Sequence, residues 1–179
     1  MAVVIDLHTI NNSTPKEYVV SFSESWWKDD PSGQILGLAS PVDLNVIIYK
    51  TSGNKFVVEG NLKGKLYLNC DRCLDKYTEN IVSDFSLFFS TELNDGKDNL
   101  KITDTDLDLD FAVDGKIDLS EIAREQIFVI VPMKSLCSDS CKGICHCCGN
   151  NLNVEQCDCN KMMSGHPAFR ALNSLKLKE

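Results

Sequence analysis

No apolar stretch in this chain approaches the roughly 18 residues that a membrane-crossing helix needs, because charged or polar residues interrupt every one. No membrane partner is therefore expected. The opening residues, Met1-Ala-Val-Val-Ile-Asp-Leu-His8, have neither a basic start nor a long apolar segment, so a signal peptide is not expected either. Without export, the default location is the reducing cytoplasm, where thiols stay free or bind metal. Positive charge is in short supply as well, with 18 Lys plus Arg against 26 Asp plus Glu and a formal net charge of −8. The deficit is central: the basic-to-acidic count is 6 to 7 over residues 1–69, 6 to 15 over 70–130, and 6 to 4 over 131–179. A basic surface of the kind that binds nucleic acid unaided is absent from the composition. No glycine-rich phosphate loop is present, and no Ser, His and Asp set assembles from spacing, so no catalytic residue and no small-molecule substrate are assigned. The chain shows no internal repeat and no low-complexity linker.

What is present is a globular composition, 43% hydrophobic and 25% charged, over 179 residues. Residues 1–115 read mainly as strands. Val42-Asp-Leu-Asn-Val-Ile-Ile-Tyr-Lys50, Lys55-Phe-Val-Val-Glu-Gly60 and Lys63-Gly-Lys-Leu-Tyr-Leu-Asn69 form a β-rich meander with a Ser-Gly-Asn turn at 52–54. Residues 77–89 continue it, and 91–102, with Asn-Asp-Gly, read as a loop. A helix is predicted over about 118–130, from the capping-box spacing of Asp118 and Glu121 and an apolar stripe at Leu119, Ile122, Ala123, Ile127 and Ile130. Pro132 stops it. A second short helix is signalled by Pro167, with Phe169, Leu172 and Leu175 on one stripe and Lys176 and Lys178 near its negative end. The expected fold class is α+β, a mostly antiparallel sheet or partly open barrel with one or two packed helices and a C-terminal Cys-rich zinc-knuckle module. The expected division is a β-rich body over 1–134 and a Cys-rich module with its helix over 135–179.

Nine cysteines dominate the chemistry, at 70, 73, 137, 141, 145, 147, 148, 157 and 159. An odd count in a chain with no export signal does not fit a disulfide scaffold. Short CxxC, CxxxC and CxC spacings suit thiolates converging on one tetrahedral ion. Cys70-x-x-Cys73 falls between two strands, whereas a redox CxxC normally opens a helix in a βαβ setting. Cys145-x-x-Cys148-Gly149 has the form of a zinc knuckle, with glycine free to take positive φ after the second ligand. The favoured partition puts one structural ion on Cys70, Cys73, Cys137 and Cys141, tying the body to the C-terminal module. A second sits on Cys145, Cys148, Cys157 and Cys159. Cys147 is left over, and His146 is a possible substitute ligand. The rival partition uses only the late cysteines for one ion and leaves Cys70 and Cys73 free, which would suit a thiol redox or zinc-responsive regulator.

Other features read more plainly. Asp104, Asp106, Asp108 and Asp110 alternate as on a strand with one acidic face; the glycine and closing glutamate of a calcium loop are missing. Trp26 and Trp27 read as a buried pair near a sheet edge, and His8 and His166 as surface residues.

Taken together, Cys70-Asp-Arg-Cys73, Ile117-Asp-Leu-Ser-Glu-Ile-Ala-Arg-Glu-Gln-Ile127, Val131-Pro-Met-Lys134 and Leu136-Cys-Ser-Asp-Ser-Cys-Lys-Gly-Ile-Cys145 resemble the YceD family of bacterial and plastid proteins. Cys148-Gly-Asn-Asn-Leu-Asn153, Cys157-Asp-Cys159 and Pro167 with Leu172 and Leu175 extend the resemblance, in the family's order, from about residue 60 to the end. The family usually carries proline after the cysteine at 145 and none at 147, where this chain has His146 and Cys147. The resemblance implies a part in large-ribosomal-subunit biogenesis, supporting accumulation or maturation of 23S rRNA. Contact with that RNA or its precursor would be direct, through Arg72, Lys76, Lys134, Lys142 and Lys161, or would run through a protein partner.

Overall fold

The computed structural model describes residues 2–11, 14–27, 33–51, 53–91 and 109–159. Asp104, Asp106, Asp108, Lys161, His166, most of the expected 91–102 loop and the expected helix after Pro167 lie outside them. Strand β1 is Val4–Asp6, β2 Lys16–Phe22, β3 Ile35–Lys50, β4 Lys55–Asn69, β5 Lys76–Ser90, β6 Leu109–Phe111 and β7 Lys116–Asp118, followed by helix α1, Leu119–Ile130. Five strands form one sheet in the order β2-β3-β4-β5-β6, antiparallel except for the parallel β5–β6 pair. Among the described residues the sheet stays open and does not close into a barrel. β1 and β7 pair separately.

Alternation of apolar and polar residues decides which face of the sheet is covered. Along β3, Val42, Leu44, Val46 and Ile48 are buried while Asp43, Asn45 and Ile47 are exposed. Val58, Leu62, Leu66 and Leu68 of β4 are equally inaccessible and join them in one core with Leu119, Ile122, Ala123 and Ile127 of α1. Period two on the strands and 3.6 on the helix meet on a single apolar layer.

The strands run longer than their apolar cores suggest. β3 begins at Ile35 rather than Val42, and its register shifts at three places between Ile35 and Asp43. Bulges there absorb Gly37, at φ 145°, and Pro41, which cannot donate to a ladder. The two segments read as 55–60 and 63–69 are one strand, β4. Gly60 does not turn the chain; it pairs with Val46 on one side and Phe85 on the other, and the Phe85 ring lies where a β-carbon on Gly60 would be.

Helix α1 starts where the sequence places it. The Asp118 carboxylate accepts from the Ser120 amide at 2.8 Å, two residues in, rather than from the amide of Glu121 that capping-box spacing implies. The same oxygen accepts from the Val3 amide at 3.1 Å, while the Leu119 amide donates to the Val3 carbonyl. One carboxylate thus caps the helix and docks β1. At the other end Val131 closes the helix just before Pro132. Trp27 is buried, packed on Phe128 at 5.6 Å between ring centroids with the Arg124 guanidinium over its ring, and Trp26 stacks on Phe22 at 4.2 Å. The pair therefore belongs to the sheet–helix seam. His8 is exposed as expected, and Asp110 is an exposed residue of β6. Among the described residues no helix is long and apolar enough to cross a membrane.

Because Asp118 satisfies two amides from different elements, Asp118→Ala should cost about 1–2 kcal/mol in urea unfolding, toward the upper end of a helix cap. Asp118→Asn should retain most of that stability. An alanine variant as stable as the parent would show that the cap carries no weight here.

Candidate metal centres

The two long strands β4 and β5 form a hairpin whose connection, residues 70–75, carries the first cysteine pair. The Cys70 amide donates to the Asp75 carbonyl at 2.9 Å and the Leu74 amide to the Cys70 carbonyl at 2.8 Å. Leu74 sits at φ 63°, a left-handed conformation that a non-glycine residue rarely adopts. The same arrangement recurs at the second pair. There the Cys145 amide donates to the Asn150 carbonyl at 2.8 Å, the Gly149 amide donates to the Cys145 carbonyl at 2.9 Å, and Gly149 sits at φ 76°. Both turns therefore have the knuckle geometry that the sequence signals only at the glycine. Leu74 disguises the first.

The sulfurs of Cys70, Cys73, Cys137 and Cys141 lie within 4.8 Å of one another, and so do those of Cys145, Cys148, Cys157 and Cys159. These are the two groups of the favoured partition. The Cys70–Cys141 separation is 3.8 Å and Cys73–Cys137 is 3.7 Å. A disulfide would need about 2.05 Å. A tetrahedron of sulfurs about 2.3 Å from a central ion has edges of about 3.8 Å, so the donor set fits a metal. Each group supplies four thiols and leaves no position for water.

Electrostatics favour a cation at both. Burial pushes the Cys70 thiol up, but amide groups of Cys137, Cys73 and Arg72 aimed at its sulfur outweigh that and hold it down at about 6. The amides of Cys148 and Cys147, with the Cys157 side chain, hold Cys145 at about 6. Two of the other cysteines move the opposite way. The Asp75 amide pulls Cys73 down, yet burial and three neighbouring sulfurs push it up to about 12. Cys148 beside it, with burial, pushes Cys159 to about 12. Four thiols this close do not all ionise by themselves; a bound ion would supply the missing positive charge.

Residues between the cysteines lock the two groups together. Asp71 and Ser135 exchange backbone and side-chain bonds: the Asp71 amide donates to the Ser135 carbonyl at 2.8 Å, and its carboxylate accepts from the Ser135 amide at 2.6 Å. The Arg72 carbonyl accepts from Ile144 at 3.1 Å, and Nη1 donates to the Cys141 carbonyl at 3.0 Å. Gly143, at φ 74°, passes so close that an added β-carbon would lie 3.0 Å from the Arg72 carbonyl oxygen. Asn153 Nδ2 donates to Cys141 Sγ at 3.3 Å while its Oδ1 accepts from Lys142, and Asn151 donates to the Asp75 carboxylate. Asn153, from the turn below the second group, thus steadies a cysteine of the first.

The sequence alone does not mark Asp71, Asn151, Asn153 or Leu74 as site residues, although Asp71 stands in the Cys70–Cys73 motif and Asn151 and Asn153 in the Cys148–Asn153 motif. Arg72, read as a partner contact, spends part of its guanidinium as a strut inside this region. Lys134 and Lys142 are exposed, and Lys76 is exposed with Nζ 3.5 Å from the centre of the Tyr67 ring. Cys147 and His146 are exposed beside the second group.

Two substitutions separate these contributions. Asn153→Ala should weaken metal retention at the first group about tenfold in competition with a chelator, the scale of losing a bond to a metal ligand. Unchanged retention would mean the Nδ2–Sγ bond does nothing for the ion. Leu74→Gly should relieve left-handed strain of about 1 kcal/mol and raise the unfolding midpoint of the metal-loaded protein. A lower midpoint would show that the leucine side chain contributes more than its backbone costs.

The sequence matches the family described as large ribosomal RNA subunit accumulation protein YceD over residues 58–176. Relatives include the protein named large ribosomal RNA subunit accumulation protein YCED homolog 1, chloroplastic, in two plants. The Arabidopsis thaliana protein is 28% identical over 156 residues, covering 75% of this chain and 46% of the relative. Its Zea mays counterpart is 26% identical over 144 residues, covering 67% and 49%. An uncharacterized protein of Mycobacterium leprae is 24% identical over 136 residues, covering 76% and 57%. The chain spans about half the length of the plant relatives it matches. No solved structure matches it. Since the matched span takes in both knuckles, helix α1 and all nine cysteines, the chain belongs to the YceD family.

Proposed function

We propose that this protein is a non-catalytic factor that supports accumulation or maturation of large-subunit rRNA in the cytoplasm, with zinc at both cysteine groups as a structural cross-link. The family match over residues 58–176 carries the first half of this reading. The second half is supported by donor chemistry: four thiolates in tetrahedral reach favour zinc, which has no redox chemistry of its own and, when four-coordinate, offers no site to water or substrate. Zinc at the first group would fasten the β4–β5 hairpin to residues 137–141; zinc at the second would close residues 145–159 on themselves.

The acidic balance of residues 70–130 disfavours unaided attachment to a polyanion. The RNA or its precursor is therefore reached at least partly through a protein partner. Arg72, Lys76, Lys134, Lys142 and Lys161 supply the direct contacts around the cysteine-rich end. Lys-to-Ala changes at the exposed lysines should accordingly weaken co-purification with large-subunit precursors without altering metal content.

Native mass spectrometry of the reduced protein should find two zinc ions, falling to one in Cys70→Ser/Cys73→Ser. A metal-free protein that forms a Cys70–Cys73 disulfide would replace this reading with thiol redox regulation. Depletion in cells should lower large-subunit rRNA relative to small-subunit rRNA; unchanged levels and subunit profiles would remove the biogenesis role.

A further inference from the structure

Three consecutive residues on the outer side of the second group form a donor set of their own. The Cys145 sulfur, a His146 ring nitrogen and the Cys147 sulfur all lie within 4.8 Å of one another. Neighbouring side chains in a strand point to opposite faces and in a helix fan apart, so convergence of three in a row requires a turn. The knuckle provides it. The Cys147 amide donates to Cys145 Sγ at 3.4 Å, which folds the chain back over that sulfur. Cys145 is buried, whereas His146 and Cys147 are exposed, so the set opens to solvent on one side and shares its inner member with the four-cysteine group.

We propose that Cys145, His146 and Cys147 form a third, accessible metal position, in which the Cys145 thiolate bridges an ion in the four-cysteine group to a second zinc-like or softer d10 cation. Two thiolates and an imidazole are donors such cations prefer. A divalent ion held by four thiolates carries a net charge of −2, which draws another cation toward the group's sulfurs, and at Cys145 that cation would take the place of the Cys147 amide. On binding, the Cys147 thiol releases its proton to solvent, His146 contributes a neutral ring nitrogen, and water completes the coordination. No electron is transferred. Open coordination and exposed ligands make this the weakest of the three positions.

The inference rests on the metal reading of the four-cysteine groups, and one titration separates the two. Zinc is added in steps to the reduced full-length chain, and bound ions are counted by native mass spectrometry, beside His146→Ala and Cys147→Ser. A third ion binding after the first two is expected, lost in both variants while two ions remain, with Cys147 protected from alkylation only in the three-ion form. His146 and Cys147 are exposed, so neither variant should impair folding, and the retained two ions report that directly. A count that stops at two in the parent, or a third ion that persists in both variants, overturns this position and leaves the four-cysteine groups standing. A parent that binds no ion at all overturns both.

Discussion

Four sulfurs held within 4.8 Å of one another are an electrostatic problem before they are a binding site. Each thiolate raises the cost of ionising the next, and burial raises it for all. The surroundings of both groups are arranged against that cost. Amide groups converge on Cys70 and Cys145, the first residue of each CxxC turn, and hold those two thiols down at about 6 while Cys73 and Cys159 are pushed up to about 12. A cation would resolve the remaining conflict. Apart from it, the geometry is kept by hydrogen bonds through Asp71, Arg72, Ser135 and the 150–153 turn, only one of which, from Asn153, ends on a sulfur.

The sheet explains why such a site stays in place. A turn at the end of a two-stranded ribbon alone would move freely, but β4 lies between β3 and β5 and buries one face against α1. The first knuckle therefore projects from a paired hairpin of fifteen residues per strand. Gly143 and Arg72 then bring the second knuckle against the first, backbone to backbone, at a separation and a positive φ that favour glycine. With both groups loaded, the region would present its exposed lysines from a fixed frame.

Much of this was legible in the residues. The helix was visible because Leu119, Ile122, Ala123 and Ile127 recur at helical spacing, and the cysteine partition because CxxC, CxxxC and CxC spacings limit which sulfurs can share an ion. β4 reads as two strands in the sequence because Gly60, which ends the first apolar run, looks like a turn residue. Its role, like that of Gly64, is to admit a side chain from a neighbouring strand, Phe85 and Val42 respectively, and that is a property of the pairing. Leu74 was missed because an apolar residue carries no sign of a left-handed backbone. Arg72 looked like a free cation because its carbonyl partners come from residues about seventy positions away.

By itself, then, the sequence determined what is local: strand and helix periodicity, the donor type and spacing of the cysteines, and the family to which the chain belongs. Tertiary structure decided what depends on distance through space. It set how far each strand runs, which amides point at which sulfur, and how Asn153 reaches Cys141. It also showed that the extra pair His146 and Cys147 converges on Cys145. The division follows from the forces involved. Side-chain periodicity and chelate spacing act over a few residues, while desolvation and hydrogen bonding to a sulfur depend on whatever the fold brings next to it.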